Sequence, residues 1–238
     1  MVDIINLYLV SLRHNNNKTK VIVAAMTHQQ IADECQNEWR DELYDKTMKI
    51  LLSEKYRKFI MKEARSEKRI YFKSIEFVTK RKNSCVIQPF SKGWSLYKKR
   101  GLSYFVYLRY HRSDGLHAVV FSAVKGISYY IFYTPHFFDR YKERELKDTS
   151  MPKIQAIHEF FKYNANVDFF SVEIPKYPDS MFGVSLHGVV LAVRVGRNLI
   201  EGRTYLPFEM LKGEQLELSA DLLGYLRAFL EHKFGVIV

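Results

Sequence analysis

The residues best suited to chemistry in this 238-residue chain lie in the stretch Thr134 to Arg144, TPHFFDRYKER. His136, Arg140 and Arg144 recur at spacings of four, which puts an imidazole and two guanidinia along one stripe of a helix. A threonine able to cap and a proline suited to the first helical position mark its start. An imidazole there can serve as general acid or base, while guanidinia can hold a phosphate or offset the charge of a pentacovalent transition state. The second half adds His187 and Arg194, read as one strand over 183–195, and Arg203-Thr204-Tyr205 near the end of a strand over 199–206. Alternation puts Arg203 and Tyr205 on one face and Thr204 on the other, and separates His187 from Arg194. Histidines, arginines and a hydroxyl without acidic metal ligands suit cleavage of RNA, whose own 2′-hydroxyl is the nucleophile; DNA has none. The competing reading is a solvated ladder, in which the arginines pair with Asp139, Glu143 and Glu145 and His136 caps or packs.

Whole classes drop out. There is no GxxxxGK[ST] loop, GxGxxG, HExxH, GxSxG or CxxC, so a nucleotide-driven motor, a dinucleotide-dependent dehydrogenase, a zinc protease and a serine hydrolase are poor fits. Asp139 and Glu143 are four apart but out of phase with His136, so no metal cage is expected, and no cofactor. Cys35 and Cys85 have no metal-ligand spacing and read as small buried hydrophobes.

The run HFFDRYKER, a second short helix and strands ending in RTYLP resemble, over about residues 131–208, the RelE-like RNase toxins within the barnase, EndoU and colicin nuclease grouping. The resemblance implies metal-independent cleavage of RNA in a toxin or phage setting, with a protein inhibitor among the partners. It implies His136, Arg140 and Arg144 as catalytic residues, joined by Arg203 and Thr204. The strands from 70 to 133 have no counterpart in that class.

The elements that must position these groups are legible from periodicity and charge. Residues 55–112 hold 17 Lys or Arg against Glu63, Glu67 and Glu76, so the formal net charge of +11 is concentrated in one segment. An excess of that size attracts polyanions, nucleic acid first. Ile31, Cys35, Trp39 and Leu43 recur every four residues and continue in a helix or helix pair over about 28–66, with Ser53 as a break. Two alternating stretches, 71–79 and 85–90, flank a basic turn with Lys80, Arg81 and Lys82, and a loop over 91–101 carries Trp94 and Tyr97 beside Lys98, Lys99 and Arg100. Cations interleaved with aromatic rings are what nucleic-acid contacts require. A hairpin closes at Ser113-Asp114-Gly115, a strand over 127–133 runs into the central helix, and a helix over 152–164 carries a boundary histidine, His158. Three strands over 168–174, 183–195 and 199–206 and a C-terminal helix over 209–234 follow.

The expected fold is therefore α+β, with a long N-terminal helix or helix pair, antiparallel hairpins, central helices, a second antiparallel set and a C-terminal helix. A single domain over 1–238 is the first choice, and lobes at 1–148 and 149–238 are the alternative. No apolar run is long enough to cross a membrane and no leader is evident, so a cytoplasmic protein without membrane insertion is expected. Besides a ribonuclease, two readings stay open: a non-catalytic nucleic-acid-binding module, with RNA favoured over DNA, and a structural or assembly protein of a phage or mobile element. Oligomeric state is not legible.

Overall fold

The computed structural model describes residues 22–54, 58, 61–62, 70–91, 93–124, 127–164, 167–171, 178–185 and 187–211, and at residues 100, 122–124, 127–128, 168 and 170 the backbone alone. The fold is α+β. The helices are α1 (His28–Glu38), α2 (Tyr44–Leu52), α3 (Trp94–Arg100), α4 (Pro135–Tyr141) and α5 (Lys153–Tyr163). The strands are β1 (Ile70–Tyr71), β2 (Ile75–Val78), β3 (Ser84–Ser91), β4 (Ser103–Arg112), β5 (Gly115–Val124), β6 (Ile127–Tyr133), β7 (Asp168–Ser171), β8 (Ser180–Val184), β9 (Gly188–Gly196) and β10 (Leu199–Pro207).

Alternation in the sequence builds one sheet with two apolar faces. Its order is β1-β3-β4-β5-β6-β10-β9-β8-β7, with β2 beside β3. Cys85, Ile87, Val106, Leu108, Val119 and Phe132 point to one face and are covered by Ile31, Ala32 and Cys35 of α1. Val86, Tyr107, Val120, Ile131 and Tyr133 point to the other, beneath Phe137, Phe138 and Tyr141 of α4 and Ile157, Phe160 and Phe161 of α5. The strand pairs are antiparallel except β6 with β10, which is parallel. That pair joins the strands of residues 70–133 to those of 168–207 in a single sheet.

Apolar residues recurring every four advance about 40° per repeat around an α-helix, so a long stripe drifts off its sheet. The wide π-helical turn Trp39–Leu43 between α1 and α2 takes up that drift, and Ile31, Cys35 and Leu43 are all fully buried. Helix α2 ends where Ser53 turns extended. Thr27 caps α1, its hydroxyl accepting from Gln30 N while the Gln30 side chain accepts from Thr27 N in return.

Several expectations need correction. The stretch 91–101 holds a helix, α3, bounded by Gly93 and Gly101 with positive φ; Trp94, Leu96, Tyr97 and the lysines are good enough helix formers between two glycine stops. The strand read over 183–195 is two, β8 and β9, because the backbone reverses at Ser185–Gly188, where Ser185 N and Oγ both donate to Gly188 O. His187 therefore sits in a turn. The C-terminal helix expected beyond Leu211 and the elements expected before Ile22 lie outside the described residues, as does much of 55–69.

Candidate active site

Thr134 Oγ1 accepts from Phe137 N at 3.2 Å and Pro135 opens helix α4. Phe137, Phe138 and Tyr141 are its buried stripe, wedged among Tyr133, Phe160 and Tyr205. His136 and Arg140 consequently face outward. Arg140 Nε lies 3.5 Å from His136 Nε2, and its Nη1 pairs with Glu143 at 2.6 Å. A second π-helical turn, Lys142–Leu146, continues the helix toward β10. Eight residues at about 1.5 Å rise put Arg144 some 12 Å along the axis from His136, too far for both to grip one phosphate. The three residues share a helix but do not form a single site.

Arg144 instead meets β10. Strand β6 pairs with β10 only as far as Gly202, so the edge beyond it is open. Arg144 Nη1 fills that gap, donating to Tyr205 O at 2.8 Å and reaching Thr204 Oγ1 at 3.4 Å. Its Nε and Nη2 have no partner among the described residues.

The next residue, Glu145, gathers the polar groups. Tyr205 is fully buried among Phe137, Tyr141 and Phe160, and its hydroxyl donates to Glu145 Oε2 at 3.1 Å. Burial pushes that phenol well above its usual range, so it stays protonated. Glu145 Oε1 lies 3.2 Å from His187 Nδ1, and the His187 side chain is 52% exposed. A carboxylate beside one ring nitrogen orients the imidazole, and Nε2 has no partner among the described residues, the placement that a general base needs. Phe208 N donates to His187 O and helps hold the turn. Gly188 is required beside it, because a Cβ would run into Leu206 O and lie 2.7 Å from the Tyr205 hydroxyl.

Arg203 is separated from this cluster. A bulge leaves it unpaired between Gly202, which faces Ala192, and Thr204, which faces Leu191. Its Nε binds Glu201 at 2.9 Å, and the other oxygen of Glu201 holds His28 of α1 at 3.0 Å. Arg203 thus lies on the α1 face while Tyr205 lies on the α4 face, and the expectation that the two share a face fails because the bulge resets the alternation. Arg194 is also elsewhere, bonded to Ser171 on the outer strands.

The proposed nucleic-acid contacts divide sharply. Arg81 is consumed internally, Nη1 at 3.3 Å from Glu34 and Nη2 at 2.6 Å from Asp41, with 11% of its side chain exposed. It joins a buried anchor in which Glu38 accepts from Thr79 and Asn83, both at 2.6 Å, and fastens the β2–β3 turn to α1. Lys80 and Lys82 of that turn are exposed. In α3, Trp94 stacks on Tyr97 with centroids 5.6 Å apart, Lys98 Nζ lies 5.6 Å from the Trp94 ring, and Lys99 is exposed. The Arg100 side chain lies outside the described residues. His158 is a boundary residue as expected, with Nδ1 at 2.8 Å from Tyr107 Oη and Nε2 at 3.0 Å from Glu76, so both ring nitrogens are occupied.

Sequence reasoning overlooked Glu145, counting it among the ladder acids. The available signal was its place four residues after Tyr141, on the buried side of the helix. Among the described residues, no group of three or more His, Cys, Asp or Glu could hold a metal, and no helix is long and apolar enough to cross a membrane. Comparison with known proteins returns no matching family model, no matching curated protein and no matching solved structure.

Proposed function

We propose that the protein is directed at nucleic acid and cleaves RNA without a metal, at the end of β10. The observation that carries this reading is the Glu145–His187 pair, whose outer ring nitrogen has no partner among the described residues, on the same helical turn as a half-used Arg144. His187 Nε2 takes the proton of a ribose 2′-hydroxyl, whose oxygen attacks the adjacent phosphorus. The bond to the 5′-oxygen breaks, that oxygen leaves with a proton from solvent, and a 2′,3′-cyclic phosphate remains. Arg144 Nε and Nη2 offset the charge added in the pentacovalent species. Tyr205 and Thr204 position the site: the phenol orients Glu145, and Thr204 steadies the guanidinium. His136 and Arg140, higher on the same helix, bind flanking phosphates. The RelE-like resemblance over 131–208 supports the same class of activity, and with it a cytoplasmic toxin or phage setting and a protein inhibitor.

The exposed lysines and the Trp94–Tyr97 stack favour a second reading, nucleic-acid binding without chemistry. One experiment separates the two. A ribo-oligonucleotide and its fully 2′-deoxy counterpart are incubated with the protein in excess chelator. Cleavage of the first alone, reduced at least a hundred-fold by Arg144→Ala, supports the catalytic reading. Binding of both without cleavage of either leaves only the binding reading.

A further inference from the structure

The open edge of the sheet at β1 and β2 carries an unusual distribution of charge. Lys73 lies between β1 and β2, Lys80 and Lys82 on the turn into β3, and Lys98 and Lys99 on α3 just past the other end of β3; all five are exposed. Among the described residues, none of their ammonium groups has a carboxylate partner, although the backbone N of Lys80 donates to Glu42 Oε2 at 2.7 Å. Two arginines of the same region are spent, Arg81 on Glu34 and Asp41, and Arg109 on Glu76 and Ser84. Strand β3 has 8 residues, so the lysines are spread over roughly 26 Å at about 3.3 Å per residue. Helix α3 is pinned by Tyr97, which packs with Phe72, Ile70 and Leu102, and Trp94 stacks on Tyr97.

We propose that this edge is a docking track for a single-stranded nucleic acid, whose phosphates lie along Lys73, Lys80, Lys82, Lys98 and Lys99 and one of whose unpaired bases stacks on Trp94. Point charges on flexible stems match a backbone of irregular geometry. A ring on a short, anchored helix offers its π-face only to a base that is not already stacked in a duplex. The track goes beyond the cleavage site and rests on the nucleic-acid reading. It lies on the far side of β4, β5 and β6 from β10, so the two sites can fail independently. Lysines on an edge strand also serve to discourage edge-to-edge pairing, which is the rival explanation.

The test is anisotropy of a labelled 2′-O-methyl single strand, which binds but has no 2′-hydroxyl to cleave, against the same sequence as a duplex. The track predicts tighter binding of the single strand and a slope of log affinity against log salt near about −3.5 for five lysines. Lys98→Ala with Lys99→Ala reduces that slope by about 1.4. Trp94→Ala weakens single-strand binding roughly ten- to a hundred-fold. Because Trp94→Ala could also loosen α3, Lys80→Ala with Lys82→Ala is measured beside it, at the other end of the track, and predicts the same loss of slope. Equal affinity for duplex and single strand, or a slope untouched by either lysine pair, overturns the track in favour of simple edge protection. Loss of cleavage with this binding retained overturns the β10 site and not the track.

Discussion

Replacing Gly188 by alanine tests the seating of Tyr205, on which the candidate site depends. The added methyl would collide with Leu206 O and approach the Tyr205 Cζ to 2.8 Å. Neither can yield cheaply: one is the backbone of β10, and the other is a ring closed in by Phe137, Tyr141 and Phe160. Overpacking of this kind costs about 1–3 kcal/mol. Displacing the ring also breaks the bond from its hydroxyl to Glu145, and a buried hydroxyl left without a partner adds about 1–3 kcal/mol. A total of about 3 kcal/mol corresponds to a fall in Tm of roughly 6–12 °C for a chain of this size. Gly202→Ala is the comparison, since its methyl meets Tyr133 at 3.0 Å and leaves Tyr205 alone; it costs about 1 kcal/mol. Thermal unfolding of both variants, followed by RNA cleavage well below either midpoint, reads out stability and site geometry separately. Gly188→Ala is expected to lose both stability and activity, and Gly202→Ala only a little stability. A Gly188→Ala midpoint within about 2 °C of the parent would refute the packing argument.

Phe160→Ala removes the ring shared by Tyr133, Phe137, Phe138, Tyr141 and Tyr205; denaturant unfolding should show a loss of about 3–5 kcal/mol. Arg81→Ala leaves the buried Glu34 without its cation, while Asp41 keeps Arg40, and should cost about 3 kcal/mol in the same assay while leaving the salt dependence of RNA binding as it was. Two histidines set the acid response. Burial holds His158 below its ordinary value, with Arg109 pushing the same way against Glu76 and Glu159, and burial does the same to His117 against Asp114. Above about pH 6.5 both are neutral folded or unfolded and contribute nothing to the pH dependence. As pH falls through that value the unfolded chain binds protons that the folded one refuses, so stability drops until the folded-state pKa values are reached. Unfolding midpoints measured from pH 7.5 to 5 should decline below pH 6.5, and less steeply in His158→Gln; a flat profile would contradict the assignment.

Much of this fold is written in local signals. Thr134-Pro135 starts α4, Ser113-Asp114 with Gly115 closes the β4–β5 hairpin, and period-two runs mark β3 to β6. What escaped are features set by tertiary pairing. Nothing local announces that β6 lies parallel to β10, or that its early end leaves a gap for Arg144. The bulge at Arg203 turns a side chain to the other face, and Gly202 beside it is the one local sign of it. The ion pairs of Arg81 join residues 40 and 47 positions apart, so composition reads as free cation a charge that the fold neutralises. His187 was visible as chemistry, but its use depends on Glu145, which reaches it only because the helix runs back over the end of the sheet.

The most direct measurement is mass analysis of the ends produced from a defined ribo-oligonucleotide in excess chelator, with the parent protein and His187→Ala side by side. The account predicts 2′,3′-cyclic phosphate and 5′-hydroxyl ends with the parent, formed about 10²- to 10⁴-fold more slowly by His187→Ala. Intact RNA with the parent, or equal cleavage by the variant, would contradict it.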